Sequence, residues 1–547
     1  MTERKASDLF VECLEAEGVK YVFGIPGEET LDLNASLDAS SIAFIPVRHE
    51  QGGAYMADMY GRLTRSAGVC LGTLGPGATN LVTGVADAKL DRSPMVALTG
   101  QADLQRMHKE SHQYIDVVDM LRPVTKFNTR LNSARVIPEV VRKAFKVAQS
   151  QKPGPTHIEL PEDVMAARVD ADPLPVRTAF RRPEPSGEEL QAAIAVIRSA
   201  ERPIVLAGNG VARTGSAAAL REFARVTGIG VAETFMGKGM LDYEDPHALG
   251  TVGLQSRDYA LAGFEDADVV ITVGYDLVEH SPANWNPDRD KRIVCIDTVT
   301  PEVDEHFVTE VDLVGDLAHI LVVLAGELGG RFEPGASRLN DIVLAHFETA
   351  KDDDSFPVKP PRALWEIRRA LGRYDMLISD VGLHKLWIAR MFPAHEPNTV
   401  FVANGLAGMG IALPTAIAAK LVHPERHVVT VSGDGGFLMN VQELETAVRL
   451  RTPVVNVIWE NRQYGSIVWK QEKKFGRHFG TDFTNPDFVR LAEAFGMPAW
   501  RCESVDDVGA RLRHALTLDL PSLIVVPIDY SIDVAISDEL GTETVVA

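Results

Sequence analysis

The sequence predicts an α/β protein built from three doubly wound parallel-sheet domains. A short β-rich apolar run, a glycine turn and a helical stretch recur many times, which is how parallel sheets with crossover helices read. The runs fall into three blocks separated by proline-rich or polar text, and 547 residues far exceed what one hydrophobic core supports.

The first block, residues 1–172, carries strand-like runs at 21–24, 42–47, 69–74, 95–100 and 156–160. Residues 173–185, rich in Pro and Arg, read as a linker. The second block, 186–330, carries runs at 203–210, 269–274 and 292–297; the text then turns polar through Lys351, Asp352, Asp353 and Asp354. The third block, 361–547, carries runs at 376–381, 427–432, 454–459 and 522–528. In such sheets ligands bind beyond the carboxyl ends of the strands, so chemistry belongs at the glycine turns.

Hydrophobic residues at 45% and charged residues at 24% are ordinary for a globular protein. The formal net charge of −21 repels nucleic acid and anionic membrane, so no nucleic-acid or membrane partner is expected. Cys13, Cys70, Cys295 and Cys502 are scattered without a CxxC, which disfavours structural zinc and a disulfide framework. An amphipathic segment at 6–18 begins almost at the first Met, and no apolar run reaches membrane-spanning length; the expected location is cytoplasmic.

The strongest local signal is a buried-strand pattern ending in Gly433-Asp434-Gly435-Gly436, followed by a helical stretch and a second strand that ends at Glu460-Asn461. Asp434 and Asn461 thus lie at turns after two strands, where hard oxygens suit Mg²⁺ and glycines let N–H groups approach a diphosphate. A plain Asp-Gly turn would read the same way in isolation; the spacing to Asn461 adds the weight. A second signal is Glu50, which heads a helical face made of Gly53, Ala54, Ala57 and Gly61. A carboxyl group over such a face can exchange protons with a flat ring packed closely against it, although a lone acid at a helix start more often just answers the dipole.

Together these segments resemble the cofactor motif of the thiamine-diphosphate enzymes, a GDG followed after about 25 residues by an Asn. The resemblance runs from Phe10 to Tyr530 and is closest to acetolactate synthases of the flavin-free, catabolic type. It implies thiamine diphosphate and Mg²⁺ as cofactors. Asp434, Asn461 and the Gln463 carbonyl would be the metal ligands, and Gly433, Gly435, Gly436 and His384 would lie along the diphosphate. It also implies that Glu50 bonds the aminopyrimidine, that the Ala407 carbonyl accepts from its amino group, and that Met409 props the bent cofactor. Residues 72–80, with Thr73 and Asn80, resemble the loop lining the thiazolium ring.

No FAD is expected, because residues 274–286 resemble the flavin-free type and lack the Arg-Phe-Asp-Asp-Arg of flavin-binding relatives. His112-Gln113 resembles the synthase pattern, in which Gln113 receives the second 2-oxo acid, so the implied reaction joins two pyruvates into 2-acetolactate with loss of CO₂. Two departures stand against it. Glu28 occupies a place where synthases usually have Gly or Ala and simple decarboxylases a catalytic Asp, and Lys470 stands where flavin-dependent synthases have Trp. Glu28 as proton donor would give the alternative, a 2-oxo acid decarboxylase releasing aldehyde. The resemblance further implies a homodimer or homotetramer with active sites at the dimer interface.

Overall fold

The computed structural model describes residues 3–176, 182–254, 256–333 and 338–532. Part of the expected linker, 177–181, and the end of the third block, 533–547, lie outside the described residues.

Three six-stranded sheets, each with its strands paired in parallel, carry the described residues, and a small antiparallel pair joins Arg4–Lys5 to Arg168–Val169. The first contains β1 (Tyr21–Gly24), β2 (Ala43–Pro46), β3 (Gly68–Gly72), β4 (Met95–Gln101), β5 (Phe127–Arg130) and β6 (Pro155–Pro161), in the order β2-β1-β3-β4-β6-β5. The second contains β7 (Pro203–Ala207), β8 (Val231–Glu233), β9 (Ala248–Thr251), β10 (Val269–Val273), β11 (Arg292–Asp297) and β12 (Val311–Val314). Its order is β9-β8-β7-β10-β11-β12. The third contains β13 (Met376–Ser379), β14 (Val400–Val402), β15 (Val428–Gly433), β16 (Val454–Glu460), β17 (Ala499–Arg501) and β18 (Ser522–Pro527), ordered β14-β13-β15-β16-β18-β17. The first and third sheets therefore share one winding pattern and the second has another.

The central strands are apolar on both faces because helices cover both. Val69, Cys70 and Leu71 of β3, Met95 to Leu98 of β4, and Val428 and Val429 of β15 are fully buried. The register β3–β4, with Val69 opposite Val96 and Leu71 opposite Leu98, stacks these side chains into one core.

The chain divides into two compact units. One consists of Met1–Phe180, Gly405–Glu425 and Leu438–Val454; the other of Arg181–Asn404, Arg426–Phe437 and Val455–Ala547. In the first unit the helix Glu50–Thr64 packs against the helices Pro76–Leu90 and Ala412–Val422. Its small-residue face permits this: the methyl of Ala54 lies where a Cβ on Gly84 would come within 2.5 Å. Among the described residues no helix is long and apolar enough to cross a membrane.

Candidate active site

In the first unit, Glu50 is the first residue of its helix, set there by His49, whose extended backbone and ring Nδ1 cap the Gln51 N–H. The carboxyl is buried, with Asn80 Nδ2 donating to Oε2 across 2.9 Å. Oε1 faces Gly77, where an added Cβ would stand 3.2 Å away, so only a glycine leaves that side of the carboxylate open. A carboxylate held on one oxygen and clear on the other can hold or pass a proton at Oε1.

Behind Glu50 a second carboxylate fixes the helix. Glu443 Oε1 accepts from the Arg48 and His49 N–H groups at 3.0 and 3.1 Å, and its Oε2 accepts from Thr446. Burial pushes its carboxyl up, and these donors offset part of that shift.

Gly75 closes against the backbone of Gln113, whose carbonyl would lie 2.6 Å from a Cβ there. Gln113 has φ of 56° and an exposed side chain, an uncommon conformation for a residue other than glycine. The same holds at Ala407, φ 57°, in the half-buried loop that carries Met409. That loop is tied down by Asp91, which accepts from the Gly405 N–H at 2.8 Å, and by Asn440, which donates to the Gly410 carbonyl. Glu28 is exposed in the chain, whereas its neighbour Glu29 accepts from Thr73 Oγ1 at 3.0 Å.

In the second unit, Asp434 follows β15 and is buried. Its Oδ2 accepts from the N–H groups of Asn461 and Arg462 at 3.1 and 2.6 Å and from Asn485 Nδ2 at 2.9 Å. Its Oδ1 accepts from the Gly435 N–H. Arg462 has φ of 61°, and this left-handed residue turns two successive N–H groups toward the carboxylate. Asn485 was not among the residues singled out from sequence; Asp482-Phe-Thr-Asn-Pro486 carries no signal of a site. The half-buried Gln463 is held by its own amide on Asp482.

His384 faces the turn that carries Gly433. It is 1% exposed, burial pushes its pKa down to about 3, and its Nε2 has no hydrogen-bond partner among the described residues. The other ring nitrogen is engaged by the Asp380 backbone, so Nε2 could meet a phosphate oxygen only as N–H of the protonated ring, a form that a neighbouring anion favours. Beside it, a Cβ on Gly433 would stand 3.4 Å from the ring and one on Gly435 2.8 Å from Tyr464, so the turn keeps its backbone bare. The hard-oxygen set of Asp434, Asn461 and Gln463 and the bare turn suit a diphosphate with Mg²⁺.

The "Thiamine pyrophosphate enzyme" family models match in three parts: the N-terminal TPP binding domain over 4–120, the central domain over 190–324, and the C-terminal TPP binding domain over 380–526. An acetolactate synthase of Bacillus subtilis (strain 168) is 34% identical over 551 residues, spanning 99% of this chain and 96% of its own. The chain belongs to the thiamine pyrophosphate enzyme family. A catabolic acetolactate synthase of Raoultella terrigena is 35% identical over 96% of this chain and 95% of its own. The large subunit of acetolactate synthase isozyme 2 from Escherichia coli (strain K12) is 32% identical over 95% and 94%. The matched N-terminal range holds Glu50 and Asn80, and the matched C-terminal range holds His384, Asp434 and Asn461.

Proposed function

We propose that the chain is an acetolactate synthase that decarboxylates pyruvate and joins the two-carbon unit to a second pyruvate, giving 2-acetolactate and CO₂. The observation that carries this reading is the likeness to acetolactate synthases over nearly the full length of both partners.

Thiamine diphosphate, when bound, supplies the nucleophilic carbon and the electron sink that a 2-oxo acid needs to lose CO₂. In our reading Asp434, Asn461 and Gln463 hold Mg²⁺, and His384 with Gly433, Gly435 and Gly436 meets the diphosphate. Glu50 holds a proton at Oε1 while Asn80 keeps the other oxygen occupied. Ala407 and Met409 receive the pyrimidine, Thr73 lines the thiazolium side, and Gln113 orients the acceptor acid. No flavin takes part, and the working form is at least a dimer.

The aldehyde-releasing alternative needs a proton donor at Glu28. The engagement of Glu29 rather than Glu28 with Thr73 does not favour it. The test is to strip the enzyme with EDTA and follow CO₂ release from pyruvate. Release should return only when thiamine diphosphate and Mg²⁺ are both restored; release without either would sink the reading.

A further inference from the structure

The second sheet runs β9-β8-β7-β10-β11-β12, which is the strand order 3-2-1-4-5-6 of dinucleotide-binding sheets. In that order the ligand's phosphates sit where the winding reverses, here in the crevice between the ends of β7 and β10. The turn after β7 reads Gly208-Asn209-Gly210, the opening of a dinucleotide cradle, although Arg213 stands where a third small residue is usual. This turn closes tightly on the turn after β10: a Cβ on Gly208 would lie 2.5 Å from the Gly274 carbonyl.

The crevice is filled from within. Glu279 is 2% exposed, and its two carboxylate oxygens each accept from the Asn209 N–H at 3.1 Å. Oε1 also accepts from the Asp276 N–H at 3.3 Å, and Oε2 from the Thr234 hydroxyl. A Cβ on Gly208 would come within 2.8 Å of Oε1, so the bare backbone serves this carboxylate. Arg213, paired with Asp276 at 2.9 Å, adds a buried cation beside it. Backbone N–H groups from both switch-point turns, a hydroxyl and a nearby guanidinium are what a phosphate group would otherwise use.

We propose that Glu279 is a built-in anion occupying the phosphate subsite of the central domain, which keeps the dinucleotide-binding architecture while closing it to dinucleotides. Burial and the like charge of Asp276 push this carboxyl up to about 7, while the Thr234 hydroxyl, Arg213 and the Asn209 N–H act the other way; above that pH the carboxylate satisfies donors that would be orphaned in an empty cradle, and it repels any phosphate that approaches. This inference is independent of the 2-oxo acid reaction, since every group involved belongs to the central sheet.

The test uses holoenzyme saturated with thiamine diphosphate and Mg²⁺, so that the cofactor's own diphosphate site cannot report. Inorganic phosphate is the probe, titrated against chloride at equal ionic strength while the melting temperature is followed. Glu279→Ala should show a saturable rise of about 2 °C or more with phosphate, and the wild type none. Wild type responding as strongly as the variant, or a folded Glu279→Ala that does not respond, overturns the proposal. Glu279→Gln keeps the volume and covers the case in which the alanine variant does not fold. It should melt below wild type and gain nothing from phosphate; a Gln variant as stable as wild type overturns the proposal as well. Pyruvate turnover of the wild type is measured alongside, so a failure here leaves the synthase reading intact.

Discussion

Asn80 donates its side-chain amide to Glu50 across 2.9 Å, joining the starts of two helices that carry the first sheet's glycine turns. The bond leaves one carboxylate oxygen free, which is what a proton-exchanging group requires. Glu50→Gln should lower kcat by about 10²–10⁴-fold with the fold retained, as for the loss of a general acid–base group. Asn80→Ala removes one charge-assisted hydrogen bond of about 1.5–3 kcal/mol and should reduce kcat/KM by roughly 10–100-fold. Steady-state rates with pyruvate, alongside circular dichroism, check both; an active Glu50→Gln enzyme contradicts the role given to Oε1.

Asn485 touches Asp434 without being one of the proposed ligands. Asn485→Ala should raise the Mg²⁺ concentration needed for half-maximal activity by about 10–100-fold, the usual effect of removing a group that orients a metal ligand. Saturating Mg²⁺ should restore most of kcat. A loss of kcat that Mg²⁺ does not repair would give Asn485 a different task.

Arg62 pairs with three buried carboxylates, Asp58 at 2.8 Å, Asp87 at 3.4 Å and Asp91 at 2.5 Å. Burial, with the like charges of Asp91 and Asp58, already holds the Asp87 carboxyl well above the usual carboxylate range. Arg62→Met should therefore destabilise the first unit by about 3–5 kcal/mol, because it leaves acidic groups buried without a cation. Urea unfolding measures this, and a loss below about 1 kcal/mol would show that the cluster is neutral without the arginine.

His157 and His280 are each pushed down from 6.5 to about 3 by burial, with a nearby cation, Arg130 or Lys385, adding to the shift. Folding thus selects the neutral rings. Between pH 6.5 and about 3 the unfolded chain binds protons that the folded chain does not, so stability falls as pH drops through that window. At about pH 5.5 each ring should account for roughly 1.4 kcal/mol of lost stability. His157→Gln should melt lower than wild type at pH 8 and show a shallower acid slope; an unchanged slope contradicts the assignment.

The strands that the sequence made legible are mostly those buried on both faces, where a parallel strand becomes an unbroken apolar run. Residues 127–130, 248–251, 311–314, 400–402 and 499–501 escaped notice, and all five form sheet edges. Edge strands are short and several are half-buried, so their text mixes Asn, Thr, Arg and Gly with apolar residues. Val231–Glu233 also escaped notice; it lies inside its sheet but is only three residues long.

Asp434 and Glu50 were visible because each sits at a strand-to-helix turn with neighbouring glycines. Asn485, Glu443 and Glu279 were not, because each acts by reaching backbone or carboxylate groups far away along the chain. Nothing local marks an acid that will accept from residues 395 positions away. At Pro26-Gly27-Glu28-Glu29 the sequence singles out the first glutamate; the second also has a partner that its text does not announce, accepting from Thr73.

The central claim is that the enzyme joins two 2-oxo acids rather than releasing an aldehyde. The direct measurement is the product of purified enzyme with thiamine diphosphate, Mg²⁺ and pyruvate, with acetolactate and acetaldehyde quantified in the same reaction. Acetolactate as the main product is the predicted result. Acetaldehyde as the main product, with its yield falling in Glu28→Gln, would contradict the account and put Glu28 at the protonation step.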